Sequence, residues 1–223
     1  MKALLITIDG PSGAGKSTVS KRLAILLDYN YIDTGALYRA VALVALSKGC
    51  APDDNENLAK ICSHLALRFE NSSNGQKLYA NENDITERIR TPEITMLASA
   101  ISAKSVIREY LMDVQREMGR GGGVVFEGRD MGTVVFPDAD IKFYLDADPD
   151  MRALRRYKEL AVKHAGTSLA EVKKAMKKRD EDDSARTLAP LKPAHDAIRI
   201  DSTYLKIDQV VEAMLEHIGA QTK

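Results

Sequence analysis

Short apolar runs alternate along the chain with longer stretches in which apolar residues recur every three or four positions. The runs Leu4–Ile8, Tyr31–Asp33, Val124–Phe126, Ile141–Leu145 and Ala197–Ile200 have the length of strands, the second being short and the last interrupted by Arg199. Near-continuous apolarity over so few residues is what a strand covered on both faces requires, because neither row of side chains meets water. Between the runs, Val19, Leu23, Leu26 and Leu27, then Leu37, Val41 and Val44, and finally Val210, Val211, Met214 and Ile218 keep helical spacing. Such stripes are the faces that helices turn toward a core. The alternation predicts an α/β fold with a five-stranded parallel sheet and helices on both faces.

The stretch from Ala51 to Pro92 breaks this rhythm. Pro52, Asp53, Asp54 and Asn55 read as the start of a helix, and the strand-like Leu67–Phe69 and Lys77–Ala80 are separated by Asn71, Ser72, Ser73, Asn74 and Gly75, the turn chemistry of a β-hairpin. Another turn is expected at Asn81–Asp84, followed by a long helical pattern ending at Glu117. Residues 51–92 are therefore expected to form a small inserted α/β subdomain, with 1–50 and 93–223 as the core.

Composition narrows the class. A chain of 223 residues that is 44% hydrophobic and 29% charged can bury a sizeable core, which excludes disorder and a disulfide-stapled miniprotein. Cys50 and Cys62 form no CxxC pair and read as reduced thiols. The apolar run after Lys2 stops at Asp9, too short for a secretory h-region or a membrane span, so a cytoplasmic protein with no membrane partner is expected. The 32 Lys+Arg balance 32 Asp+Glu, which disfavours wholesale binding to polymeric nucleic acid. That balance hides a gradient: net charge is −4 over residues 1–150, +5 over 151–187 and −1 over 188–223. The basic segment carries Arg152, Arg155, Arg156, Lys173, Lys174, Lys177, Lys178 and Arg179 on two helical patterns joined by His164, Ala165, Gly166 and Thr167. Solvated surface helices and a mobile lid over about 150–187 are both compatible with it.

Directly after the first run stands Gly10-Pro11-Ser12-Gly13-Ala14-Gly15-Lys16-Ser17-Thr18, leading into the stripe that begins at Val19. Strand, glycine-rich loop with Lys and Ser, then helix is the context of a phosphate-binding loop. Its backbone N–H groups turn inward on phosphate oxygens at the positive end of the helix dipole; Lys16 adds a charge for the β- and γ-phosphates, and Ser17 offers its hydroxyl to Mg²⁺ held with ATP. A GTPase is excluded by the lack of an Asn-Lys-x-Asp element. At the end of the third run comes Gly128-Arg129-Asp130, where open α/β sheets bind ligands. Arg39, Arg108, Arg129, Arg179 and Arg186 fall at other element ends, and guanidinium forks suit a second phosphate.

With these motifs in view, the chain resembles the bacterial cytidylate kinases, a group of nucleoside monophosphate kinases. The resemblance runs nearly end to end: Ile8 to Ser17, Asp33-Thr34-Gly35-Ala36-Leu37-Tyr38-Arg39, Ile89-Arg90-Thr91, Gly128-Arg129-Asp130-Met131-Gly132-Thr133-Val134-Val135-Phe136-Pro137-Asp138-Ala139, Arg179-Asp180, Ala189-Pro190-Leu191 and Asp201-Ser202-Thr203. It implies ATP-dependent phosphorylation of CMP and dCMP with Mg²⁺ by in-line transfer, and makes 51–92 an NMP-binding insertion. By the same resemblance Arg39 and Arg129 hold the acceptor phosphate, Ser99, Arg108 and Asp130 the cytosine edge, Thr34 a further base contact, and Arg179 with Asp183 the ribose. Arg155, Arg156 and Arg186 are candidates to close over the transferring group. The base contacts agree with cytosine's own chemistry, since its N4 amino group donates to a carboxylate while N3 and O2 accept. Thr34 stands where some members have Ser and Glu127 where others have Asp; no role is assigned to Glu127. Two other readings stay open, a UMP/CMP kinase and a non-catalytic ATP-sensing module. No coiled-coil heptads are present, so a monomer is expected.

Overall fold

A computed structural model describes residues 3–72, 75–161 and 168–221. The proposed helix junction at His164–Thr167, together with Ser73 and Asn74 of the hairpin turn, lies outside the described residues. The chain divides into two compact units, one of 1–31 and 121–223, the other of 32–120.

In the first unit all five expected strands form: β1 (Leu5–Asp9), β2 (Asn30–Asp33, which runs on into the second unit), and, beyond the second unit's three short strands, β6 (Val124–Gly128), β7 (Ile141–Asp146) and β8 (Ile198–Asp201). Their order in the sheet is β2-β6-β1-β7-β8, and β1 pairs in parallel with β6 on one side and β7 on the other. This register sorts the side chains by face. Ile6, Ile8, Val125, Ile141, Phe143 and Leu145 share one core with Val19, Leu23 and Ala24 of α1 (Lys16–Leu27) and with Val210, Val211, Met214 and Ile218 of α8 (Ile207–Gln221). Leu26 departs from its expected stripe and is 51% exposed, because it sits about a quarter turn from the face that Leu23 and Ala24 present. The opposite pleat carries buried polar residues, Thr7, Asp9 and Lys142, and meets a π-helical turn, Met131–Val135. Lys142 is satisfied there by the Pro137 carbonyl and both Asp196 carboxylate oxygens, as a buried ammonium must be. The basic segment forms α6 (Pro149–Ala161) and α7 (Leu169–Ser184), packed through Ala153, Val172 and Met176. A Ser168–Glu171 capping box starts α7.

The second unit contains α2 (Thr34–Ser47), α3 (Asn55–Ser63), β3 (Leu67–Ser72), β4 (Gly75–Ala80), β5 (Asn83–Asp84), α4 (Pro92–Ile101) and α5 (Ser105–Gly119). The hairpin is present as an antiparallel β3–β4 pair, with β5 added where the sequence reads as a turn. The long helical pattern is two helices, since the chain turns at Ser102–Lys104. The unit is also wider than residues 51–92. Leu37, Ala40, Val41, Leu58, Ile61, Leu78, Ile89, Ile101, Ile107 and Leu111 form one core, so the hairpin and α3 bury their apolar faces against helices on both sides of the insertion in sequence. A nine-residue helix and a hairpin cannot bury enough surface alone.

Candidate active site

The loop between β1 and α1 needs glycine for two separate reasons. Gly10 holds φ +146, and a Cβ there would lie 2.0 Å from the Leu145 carbonyl oxygen of β7; Gly15 caps α1 at φ +94 with no side-chain hydrogen bond to the helix N–H groups, which keeps those donors directed at the loop. Gly10→Ala is expected to lose roughly 2–4 kcal/mol of stability, read as a lower denaturation midpoint in urea.

Lys16 is 7% exposed, and its Nζ donates to the Pro11 carbonyl at 2.7 Å, so the loop closes around its own ammonium. Burial pushes the Lys16 pKa well below the ordinary lysine range; the charges of Arg129 and Arg179 push the same way, and Glu127 and Asp9 oppose them. An ammonium gathered with two guanidinium groups suits a polyanion. Ser17 Oγ donates to Glu127 Oε1 at 2.7 Å, placing a hydroxyl and a buried carboxylate side by side at the loop. Those are hard oxygen donors of the kind that divalent oxygen-loving cations take, and among the described residues no cluster of three His, Cys, Asp or Glu competes for a metal.

Asp183 of α7 is 1% exposed. It accepts from Arg129 Nε at 3.1 Å and from Arg186 Nη2, while Arg129 Nη1 donates to its neighbouring Gly128 carbonyl at 3.2 Å. Arg129, Arg186 and Asp183 thus come together, and the fork of Arg129 is aimed before any ligand arrives. Asp130, 3% exposed, follows on the same turn. Arg155 goes elsewhere: it donates to Ser202 Oγ at 3.1 Å and to the Ser202 and Thr203 carbonyls at 2.6 and 3.2 Å. Ser202 Oγ in turn donates to the Ala14 carbonyl of the loop. Arg156 makes an exposed pair with Glu159 at 3.0 Å.

Thr34, Arg39, Ser99 and Arg108 belong to the second unit. Arg39 pairs with Asp33 at 2.8 Å, and Asp33 also caps α2 through the Ala36 N–H. Gly35 makes room for this pair, because a Cβ there would stand 3.1 Å from Arg39 Nη1. Thr34 is buried at the start of α2, and Arg108 Nη1 reaches the Ser102 carbonyl at 3.4 Å.

Three residues outside the expected set are built into the site. Glu127 holds Ser17. Asp9 accepts from the Met131 and Gly132 N–H groups. Arg152, 7% exposed, donates from Nη1 to the Ser12 carbonyl at 3.0 Å and to Asp180 at 2.5 Å, tying the loop to α6 and α7. The one available signal in the sequence is a charged residue inside or beside an apolar run, as at Asp9 and Glu127.

A glycine loop closing on a buried lysine at the carboxyl end of a parallel sheet, with Arg129 on the neighbouring strand's turn and Arg186 after α7 both held by Asp183, defines a P-loop phosphotransferase. The cytidylate kinase family profile matches residues 6–220, and the chain belongs to that family: it is a kinase. It is 51% identical to the cytidylate kinase of Geobacter sulfurreducens over 213 residues, covering 96% of this chain and 91% of that one. Identity to the cytidylate kinase of Syntrophotalea carbinolica is 48% over 218 residues, 98% of this chain and 93% of the relative. The fold is also that of the shikimate kinase crystal structure from Bacteroides thetaiotaomicron, with a TM-score of 0.50 at 15% identity over 97% of this chain and 98% of that one.

Proposed function

We propose that the protein transfers the γ-phosphoryl group of ATP to CMP and dCMP, yielding ADP and CDP or dCDP. The observation that carries this reading is the pairing of Arg129 with Asp130 on the turn after β6, the strand beside the loop-bearing β1. A cation fork for a phosphate and a carboxylate for an amino group follow one another on a single rigid turn. The loop N–H groups and Lys16 hold the donor phosphates, and Arg129, steadied by Asp183, aims the acceptor phosphate. That acceptor is already an anion near pH 7, so positioning and charge neutralisation carry the reaction and no strong general base is required. Ser17 directly, and Glu127 through it, would hold Mg²⁺, which when bound screens the β- and γ-phosphate oxygens.

In this reading Arg39 joins Arg129 on the acceptor phosphate, Ser99 and Arg108 serve the cytosine edge with Asp130, Thr34 adds a base contact, and Arg179 with Asp183 serves the ribose. The second unit is the acceptor-binding part and α6 with α7 the lid, whose closure excludes water from the transferring group. Arg186, just past α7 and paired with Asp183, is the cation for that role.

A coupled assay of ADP release over a panel of nucleoside monophosphates tests the reading. Turnover is expected with CMP and dCMP and weak with UMP, whose C4 carbonyl faces Asp130 without a hydrogen to donate. Equal turnover of UMP would make it a UMP/CMP kinase, and no turnover with any acceptor would leave only an ATP-binding module. Asp130→Ala is expected to narrow the CMP-over-UMP preference about tenfold or more; an unchanged ratio of kcat/KM values would remove Asp130 from the base pocket.

A further inference from the structure

We propose that Asp9 is a positioning residue for the acceptor base, a buried carboxylate clamp that fixes the turn bearing Arg129 and Asp130; this rests on the reading of that turn as the acceptor site. Asp9 ends β1, one residue before the phosphate-binding loop, and is 3% exposed. Its Oδ1 accepts from the Met131 N–H at 2.9 Å and its Oδ2 from the Gly132 N–H at 2.8 Å. These two donors open the π-helical turn, so they precede its internal ladder, in which Val134 and Val135 N–H groups donate back to the Asp130 carbonyl and Phe136 N–H to Met131. Without Asp9 both would be buried and unsatisfied. The carboxylate thus decides where the Asp130 backbone sits, and it is itself fixed by the β1–β7 and β1–β6 ladders.

The groups facing Asp9 are Asp130 on the turn, Lys16 on α1 and Tyr144 opposite it on β7. Burial and Asp130 raise its carboxyl to about 6, against the two N–H groups and Lys16, so at pH 8 it is ionised and both oxygens accept. One side chain therefore borders the donor loop by covalent connection and the acceptor turn by hydrogen bonding. The clamp serves the acceptor, which separates it from a general role in folding.

Steady-state kinetics of the wild type, Asp9→Asn and Asp9→Ala at pH 8, where CMP is dianionic, tests this, alongside calorimetric ATP binding and amide exchange at Met131 and Gly132. Asp9→Asn keeps one acceptor oxygen and is expected to raise KM for CMP about tenfold, the effect of one hydrogen bond to a charged group, with a smaller change in kcat. Asp9→Ala should go further. In both, the CMP-over-UMP preference narrows, the two amides exchange faster and ATP affinity stays within about threefold. An unchanged KM and selectivity, or ATP affinity falling in step with CMP affinity, would overturn the proposal. Gly132→Ala covers the case of an Asp9 variant that does not fold. A Cβ there would lie 3.1 Å from Thr7 Oγ1 and Lys142 Cδ, so the turn or those side chains must give by a few tenths of an ångström around an intact Asp9; KM and selectivity are expected to move with the exchange rates of Met131 and Gly132, and either one changing without the other counts against the clamp. If the wild type proves inert toward CMP, the substrate reading fails and with it the acceptor role, whereas amide exchange still reports whether Asp9 holds the turn.

Discussion

Arg129→Ala is expected to bind ATP as the wild type does and to phosphorylate CMP about 10²–10³-fold more slowly, the scale of losing both the aim of the acceptor phosphate and the cation that offsets its charge. Two contacts aim the side chain in advance, Nε on Asp183 at 3.1 Å and Nη1 on the Gly128 carbonyl, so its orientation does not have to be acquired in the complex. Arg129→Lys should recover little. An ammonium lacks the separate Nε donor, so it cannot keep Asp183 and offer a two-pronged edge to phosphate at once. Asp183 retains Arg186 in either variant, which limits the stability loss, and circular dichroism melts are expected to show a folded protein. Calorimetry for ATP and the ADP-release assay for CMP separate the two steps; normal CMP turnover in Arg129→Ala would refute the acceptor role.

The second large effect concerns Lys16. Lys16→Met is expected to lower kcat by about 10²–10³-fold, equivalent to ~3–4 kcal/mol of transition-state stabilisation, while leaving the protein at least as stable at pH 7. The sign follows from its titration. The folded state pushes this pKa down from 10.5, so the unfolded chain binds the proton more tightly. The charged side chain therefore disfavours folding wherever it is protonated, and that penalty fades only as the pH rises toward 10.5. Methionine fills similar space without the charge. Activity and thermal midpoint should move in opposite directions or independently, and a Lys16→Met protein that melts far below the wild type would show that the Pro11 contact is structural instead.

Periodicity located the sheet almost to the residue because its central strands β1, β6 and β7 are buried on both faces and the runs are flanked by turn chemistry. The P-loop was equally legible, since its Gly, Lys and Ser positions are local. Other elements were not. The helical pattern through residues 93–117 conceals the turn at Ser102–Lys104, where Ser102 donates to the Ser99 carbonyl and no glycine or proline marks the break. The extent of the second unit depends on which helices share Leu37, Ile101 and Leu111, a tertiary matter. Within the site, what was passed over is the contacts between remote residues: Ser17 and Glu127 are 110 positions apart, Asp9 and Met131 122, Arg152 and Ser12 140, Ser202 and Ala14 188. No window of sequence registers such pairs, whereas a motif resemblance carries over only residues already recognised in relatives.

Asp183 gives the site an uneven tolerance to change. One carboxylate, almost wholly buried, serves two guanidinium groups that come from different parts of the chain, Arg129 after β6 and Arg186 after α7. Replacing either arginine leaves the carboxylate one partner, but replacing Asp183 leaves two cations crowded together with none between them. The three positions therefore do not vary as independent sites. Substitutions at 129 and 186 should combine with less than their summed cost in an Asp183→Asn background.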